Sequence, residues 1–325
     1  MRAISVLRHG GPDVLTPAAL PDPRPGADEV LIAVEAAGVN FIDAHLRAGR
    51  YPVALPYVPG QEGVGRVLAA GPAVTGPRIG DRVGWVNLPG AYAELAVIPA
   101  ERVVPIPEDV SPQTAAAVLL HGMTAHYLVH DSHAVRAGDT ILVHAAAGGM
   151  GLLLTQWIKL LGGRVIGTVS SAAKEERARA AGADEVIRYD ALDPAGVASA
   201  ANALTGGAGV AAVYDGIGAP TFDGSLAALR PRGTLVLYGQ AGGPVPPFDL
   251  GRLNQGGSLR VTRPNLDHHI ASREELTGRA ADVLRLVASG ALMPHIGSVR
   301  PLEDAAGAHA DLEGRRSIGK LLLTV

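Results

Sequence analysis

Hydrophobic patterning changes character near residue 140. Before it, short apolar runs punctuated by Gly and Pro recur at Val30 to Ala36, Gly63 to Ala70, Asp81 to Val86, Tyr92 to Ile98 and Arg102 to Pro105, which predicts a β-rich unit. Ser111-Pro112 reads as the N-cap and first turn of an apolar helix over Gln113 to Leu120. Gly122 is a candidate break, and a second helical stretch runs to about Val135. From 140 onward strands and helices alternate. Apolar strands begin near 140, 164, 184, 210, 234 and 258, and helical stretches fill 150–161, 172–181, 194–204 and 220–230. Six strands with helices between them predict an α/β fold with a doubly wound parallel sheet. After 262 the alternation stops. Arg273 to Ser289 reads as an amphipathic helix, Ile296 to Val299 as a strand, Glu303 to Glu313 as a helix and Gly319 to Val325 as a terminal strand, a tail expected to return to the first unit.

The first strand of the alternating region, Thr140-Ile-Leu-Val-His144, runs into Ala145-Ala-Ala-Gly148-Gly149-Met150-Gly151 and then a helix. Such a turn is a phosphate cradle: Gly148 lets backbone approach a pyrophosphate, Gly151 lets the helix pack on the strand, and the helix N-terminus offers N–H groups to the anion. Ala146 takes the place of the first glycine of G-x-G-x-x-G, so the turn alone is also compatible with an ordinary strand-to-helix connection. Its place at the head of six strand–helix units makes dinucleotide binding the better reading.

Composition narrows the partners. The net charge is −3 with 18% charged residues and no concentrated basic run, which argues against nucleic acid and against an anionic membrane surface. Hydrophobic residues make up 47% but aromatics only 4%, so the core is built from Ala, Val, Leu and Ile. The absence of cysteine excludes disulfides, thiolate metal ligands and a cysteine nucleophile. No signal-peptide core and no uninterrupted apolar stretch of membrane-spanning length is found, and a cytoplasmic location is the expectation.

The second strand of the alternating region selects the dinucleotide. An NAD site carries an acidic residue at the end of that strand, but Gly167-Thr168-Val169-Ser170-Ser171 has none before Glu175. Ser170 with Lys174 and Arg177 suits a 2′-phosphate instead, so NADPH is expected. A solvated helix face is the alternative for the two cations.

Several further motifs make the chain similar to a known family. Gly38-Val-Asn40-Phe-Ile-Asp43, Pro59-Gly60-Gln61-Glu62-Gly63-Val-Gly65, Gly80-Asp-Arg-Val83 and Gly90-Ala-Tyr92, with the central glycine turn, resemble the medium-chain dehydrogenase/reductase superfamily. Asn254-Gln-Gly-Gly-Ser258, Val261-Thr-Arg-Pro264 and Gly319-Lys-Leu-Leu322 resemble its zinc-independent quinone oxidoreductase, or zeta-crystallin-like, branch. The resemblance implies a GroES-like catalytic domain over 1–123 that resumes at 262–325, a six-stranded Rossmann domain over 124–261, a cleft where they meet, and a homodimer joined at the sheet edge near 258. In the superfamily's zinc enzymes a Cys stands at Asn40 and a His at Gln61; amides are poor zinc ligands, so no metal is expected. His121, His126, His130 and His133 lack an H-E-x-x-H pattern and read as surface or interdomain residues, as do His268 and His269.

The same resemblance implies the site. Asn40 and Tyr51 would flank nicotinamide and substrate, with Tyr51 suited to proton donation. Gly148, Gly149, Met150 and Gly151 would take the pyrophosphate. Ser170, Lys174, Tyr189 and Arg315 would hold the adenosine 2′-phosphate and its ring, while Gly239, Gln240 and Arg263 would lie toward the nicotinamide half and Thr124 would begin the helix facing it. Tyr189 as a plain strand aromatic and Arg315 as a surface cation are the alternatives. His45 and His121 depart from the family pattern at positions that bear on pH dependence or acceptor choice. Without a Lewis acid, alcohol oxidation is disfavoured. The expected activity is NADPH:quinone reduction, with 2-enoyl thioester or enone reduction as the alternative and a noncatalytic NADPH-binding role as a third reading.

Overall fold

The computed structural model describes residues 1–190, 192 and 194–325. The chain forms two units, one of Met1–Met123 with Ile270–Val325 and one of Thr124–His269. In the first, β1 (Arg2–Ser5) and β2 (Thr16–Ala19) form a small antiparallel pair. The larger sheet contains β3 (Glu29–Val39), β4 (Glu62–Ala70), β5 (Arg82–Val86), β6 (Leu95–Pro99) and β7 (Val104–Pro105). A short helix α1 (Phe41–Arg47) follows β3, and α2 (Pro112–Tyr127) follows β7. β3 organises this sheet because its residues alternate: Val30, Ile32, Val34 and Ala36 are buried while Glu29, Leu31, Ala33 and Glu35 are half-exposed. Trp85, Tyr92 and Ile98 close on the same core.

The pattern-based reading missed β1, β2 and α1, and it placed a break at Gly122 that does not occur. Helix α2 continues through Gly122 because that residue lets α2 approach a neighbour: a Cβ there would sit 2.5 Å from Val283 Cγ1. Thr124 therefore lies in the last turn of α2 rather than at the start of a helix. One turn of π-helix, Leu128–Ser132, then ends the segment.

The second unit is a six-stranded parallel sheet. In chain order it has β8 (Thr140–Val143), α3 (Gly149–Leu160), β9 (Arg164–Val169), α4 (Ala172–Ala180), β10 (Glu185–Arg188), α5 (Pro194–Leu204), β11 (Val210–Asp215), α6 (Phe222–Ala227), β12 (Leu229–Leu237), α7 (Gly251–Gln255) and β13 (Arg260–Thr262). The strand order β10-β9-β8-β11-β12-β13 is doubly wound, with the switch point between β8 and β11. Every residue of β11 is buried, as expected of a parallel strand covered on both faces.

Beyond Ile270 the chain rebuilds the first unit with α8 (Arg273–Ala288), β14 (Ile296–Pro301), α9 (Ala305–Glu313) and β15 (Lys320–Thr324). β15 pairs antiparallel with β3, Leu322 opposite Gly38, and parallel with β14. The last strand in sequence thus lies beside the third.

Candidate active site and cofactor cradle

On the second unit the candidate residues gather at the carboxyl ends of the parallel strands. After β8 the chain turns through Ala145, a non-glycine residue at φ 50°, and Gly148 then caps α3 in an extended conformation with no side-chain bond to its first turn. Gly151 is buried against this turn, where a Cβ would lie 2.4 Å from the Ala145 carbonyl oxygen and 2.7 Å from Ala146 Cα. Ala146 fills the place of the missing glycine, its N–H bonded to the Thr168 carbonyl at 3.0 Å and its methyl fitted against Gly167 of β9. The N–H groups of Gly149, Met150 and Gly151 thus open a helix with no side-chain cap, a backbone cradle that fits a pyrophosphate.

At the end of β9, Lys174 Nζ donates to Ser170 Oγ at 3.3 Å, and Ser171 caps α4 by accepting from the Lys174 N–H. Glu175, the first carboxylate after this strand, accepts from Arg179 at 3.0 Å one helical turn on. The end of β9 therefore presents a hydroxyl and an ammonium, which fit a phosphate. Arg177 is exposed on the same helix. Tyr189 follows β10, its N–H donating to Val169 O at 3.0 Å, so its backbone lies beside the end of β9, while its half-buried ring packs on the hydrophobic core of this unit. Gly239 and Gln240 follow β12, where a Cβ at Gly239 would meet the Gly216 carbonyl at 2.6 Å, and the exposed Arg263 follows β13. Arg315 belongs to the other unit: it is exposed after α9 at φ 55°.

A buried network not foreseen from sequence braces this rim. Asp215, at the end of β11, accepts from the N–H groups of Ile217 (2.8 Å) and Gly218 (3.1 Å) and from the hydroxyls of Thr221 (2.7 Å) and Ser225 (2.8 Å). With its hydroxyl hydrogen given to Asp215, Ser225 Oγ can only accept from His144 Nε2 at 3.0 Å. His144 Nδ1 then accepts from Thr168 Oγ1 at 3.0 Å. Burial pushes the His144 imidazole below its ordinary range, so the ring is neutral with its hydrogen on Nε2. The link joins β8, β9, β11 and α6 directly behind the glycine turn. A histidine ending the first strand was its only trace in the sequence.

On the first unit, Asn40 is 3% exposed and caps α1, its N–H bonded to Asp43 Oδ2 at 3.0 Å. Its side-chain amide donates to Gly38 O (3.3 Å) and Glu62 Oε2 (3.1 Å), while Oδ1 accepts from Lys320 Nζ at 2.6 Å. Lys320 also donates to Glu62 Oε2 at 2.6 Å, both side chains being essentially unexposed. Glu62 Oε1 accepts from the Leu120 N–H at 2.7 Å, tying α2 to the same cluster. Asp43 Oδ1 accepts from the Gln61 N–H at 2.9 Å, and burial pushes its carboxyl up to about 7. Glycine at 38 is required, since a Cβ would meet Glu62 Oε2 at 2.0 Å. A zinc ion does not fit at Asn40: an ammonium already bonds the amide oxygen, and a dication beside it would be repelled. Tyr51 follows α1, half-buried, its ring packed edge-on to His45 with centroids 5.7 Å apart, so Asn40 and Tyr51 are anchored on one helix and its following turn.

The remaining histidines serve packing and pairing. His126 and His130 lie 4.7 Å apart beside Trp157, His269 stacks on Tyr127 at 4.2 Å and pairs with Asp131, and His133 faces Asp139. His268 lies in a 3-10 turn. Among the described residues no three His, Asp or Glu side chains are grouped to hold a metal ion.

Two family descriptions match: an alcohol dehydrogenase GroES-like domain over residues 26–108 and a zinc-binding dehydrogenase over residues 149–270. A quinone oxidoreductase from Pseudomonas aeruginosa is 42% identical over 324 residues, 99% of either chain. A 2-haloacrylate reductase from Burkholderia is 39% identical over 329 residues, covering 99% of this chain and 98% of the relative. A mycobacterial protein solved in complex with NADPH superposes with a TM-score of 0.96 at 48% identity, covering all of both chains.

Proposed function

From the premise that the chain belongs to the zinc-independent quinone oxidoreductase, or zeta-crystallin-like, branch of the medium-chain dehydrogenase/reductase superfamily, we propose that it reduces quinones with NADPH. The observation that carries the cofactor is the end of β9, where Ser170 and Lys174 stand in place of a carboxylate. In this reading the α3 N-terminus holds the pyrophosphate, Ser170 and Lys174 with Tyr189 and Arg315 hold the adenosine end, and Thr124, Gly239, Gln240 and Arg263 serve the nicotinamide half. NADPH, when bound, supplies a hydride. The protein's part is to orient the acceptor and stabilise the negative charge that develops on its oxygen. Both amide hydrogens of Asn40 are committed to Gly38 and Glu62, so Asn40 acts here as an acceptor through Oδ1, polarised by Lys320. Tyr51 supplies a phenol able to donate a proton. No step runs through a metal. The reading carries with it a cytoplasmic homodimer joined along β13, the edge strand of its sheet.

A second reading, reduction of an activated alkene, is favoured by the similarity to a 2-haloacrylate reductase. One experiment separates the two. Fluorescence titration is expected to give NADPH at least about tenfold tighter binding than NADH, worth about 1.4 kcal/mol; equal affinities would contradict the role of Ser170 and Lys174. Turnover is then compared for 1,4-benzoquinone and crotonyl-CoA. Tyr51→Phe should cripple alkene reduction, which needs a proton at carbon, and leave quinone reduction within a small factor, because the hydroquinone anion can take its proton from water.

A further inference from the structure

The imidazole of His144 is held at both nitrogens by side chains from two different elements. Nδ1 accepts from Thr168 Oγ1 of β9 and Nε2 donates to Ser225 Oγ of α6, each at 3.0 Å, and all three residues are buried. Ser225 is held in turn by Asp215, and the His144 N–H donates to Tyr214 O at 3.1 Å. This fixed point lies one residue before Ala145. On the other side Ala146 is fixed too, its N–H donating to Thr168 O at 3.0 Å, so Thr168 grips both flanks. Between these anchors Ala145 takes φ 50°, a left-handed conformation that alanine resists and glycine adopts freely. Such a conformation persists only where the surrounding structure over-determines it. The cradle depends on it. The Ala145 carbonyl accepts from the Gly148 N–H at 2.9 Å, and Gly151 packs so close that a Cβ would lie 2.4 Å from the same oxygen. Relaxing Ala145 to an ordinary φ would turn this carbonyl away from Gly148 and shift the first turn of α3.

We propose that His144 is a positioning residue for the dinucleotide: by fixing the chain ahead of Ala145 it holds that residue left-handed, and so keeps the N–H groups of Gly149, Met150 and Gly151 aimed at the pyrophosphate. The proposal rests on the NADPH reading of the cradle and adds to it the side chain that keeps the cradle formed. A histidine suits the task because a neutral ring offers one acceptor and one donor on separate nitrogens, one for the Thr168 hydroxyl and one for the Ser225 oxygen. It acts through the backbone rather than by a contact of its own with the nucleotide.

The test measures NADPH affinity by fluorescence for the full chain on two backgrounds. His144→Leu is expected to weaken binding about tenfold, because nothing then enforces the left-handed alanine. In a chain that also carries Ala145→Gly, the same change should weaken binding less than about threefold, since glycine takes the conformation unaided. A side chain that merely stabilised the sheet would give equal losses on both backgrounds. His144→Gln keeps a donor and an acceptor and should recover most of the loss. Thr168→Val removes one arm and keeps the ring. It should lose about threefold with the alanine and nothing measurable with the glycine, and it carries the comparison if His144→Leu does not fold. Crystals of ligand-free His144→Leu should show Ala145 outside the left-handed region. The proposal is overturned by equal losses on the two backgrounds, by no loss with Ala145 in place, or by an Ala145 still left-handed in those crystals. A wild type that binds no NADPH would instead end the cofactor reading and the ligand role of His144 with it, while the crystals would still decide whether His144 fixes Ala145.

Discussion

Asp43 makes the first unit sensitive to pH in a direction opposite to most carboxylates. Two backbone N–H bonds and the Lys320 charge pull its pKa down, but burial outweighs them and pushes it up to about 7. The folded chain therefore holds this proton more tightly than the unfolded chain does. The stability it contributes is full below the ordinary value of 3.8 and is lost as pH rises through about 7, a fall of up to ~4 kcal/mol across that window. His309 works the other way. Buried against Arg47, it is pushed down to about 3, so its contribution is full above 6.5 and is lost as pH falls. Urea unfolding of wild type and Asp43→Asn at about pH 5 and about pH 8 isolates the first effect: the variant should lose the fall in stability between the two, and an unchanged pH slope would contradict it. Legibility at this scale followed sequence distance. The glycine turn and the Ser170–Lys174 pair were readable because their parts are neighbours in the chain. The Glu62–Lys320 pair joins residues 258 positions apart, and no local pattern marks a lysine in an apolar terminal strand as the partner of a glutamate in another.

Among the elements, those with a long period were the ones the sequence displays. β8 and β11 are nearly continuous apolar runs, and α3, α4, α5 and α7 are followed within two residues by a glycine, so pattern and turn chemistry agree. Helix α1 spans only seven residues, too short for a periodic signal, and it exists because Asn40 and Asp43 cap its start. Helix α2 misleads in the opposite sense. Gly122 reads as a breaker, yet the helix passes through it because only a residue without a side chain lets α8 come so close. The usual rule, that Gly→Ala inside a helix stabilises it by about 1 kcal/mol, is therefore expected to change sign. A Cβ 2.5 Å from Val283 Cγ1 would force α2 and α8 apart, and Gly122→Ala should cost about 1–3 kcal/mol in chemical denaturation. Adding Val283→Ala should recover part of that loss; a stabilised single variant would mean the contact is slack.

At the scale of the whole molecule, the two units differ in how they are written along the chain. β8 to β13 are consecutive, their core of Leu142, Ile166, Ile187, Val213 and Leu235 comes from one stretch, and the His144–Asp215 network closes within it. The first unit needs both ends of the chain: β15 lies against β3, and Lys320 neutralises a glutamate that burial would otherwise leave uncompensated. It follows that the fragment Thr124–His269 should fold by itself, whereas a chain ending at His269 should leave residues 1–123 without a stable sheet. The fragment is expected to melt cooperatively by circular dichroism and to bind NADPH, since the α3 cradle, Ser170 and Lys174 all lie within it. It should reduce no quinone, because Asn40 and Tyr51, proposed above to serve the acceptor, belong to the other unit. Gly151→Val in this fragment should abolish nucleotide binding, as its side chain would strike the Ala145 carbonyl. A fragment that folds but ignores NADPH would move the cofactor's grip to the first unit, Arg315 included, and would undo the assignment of the cradle.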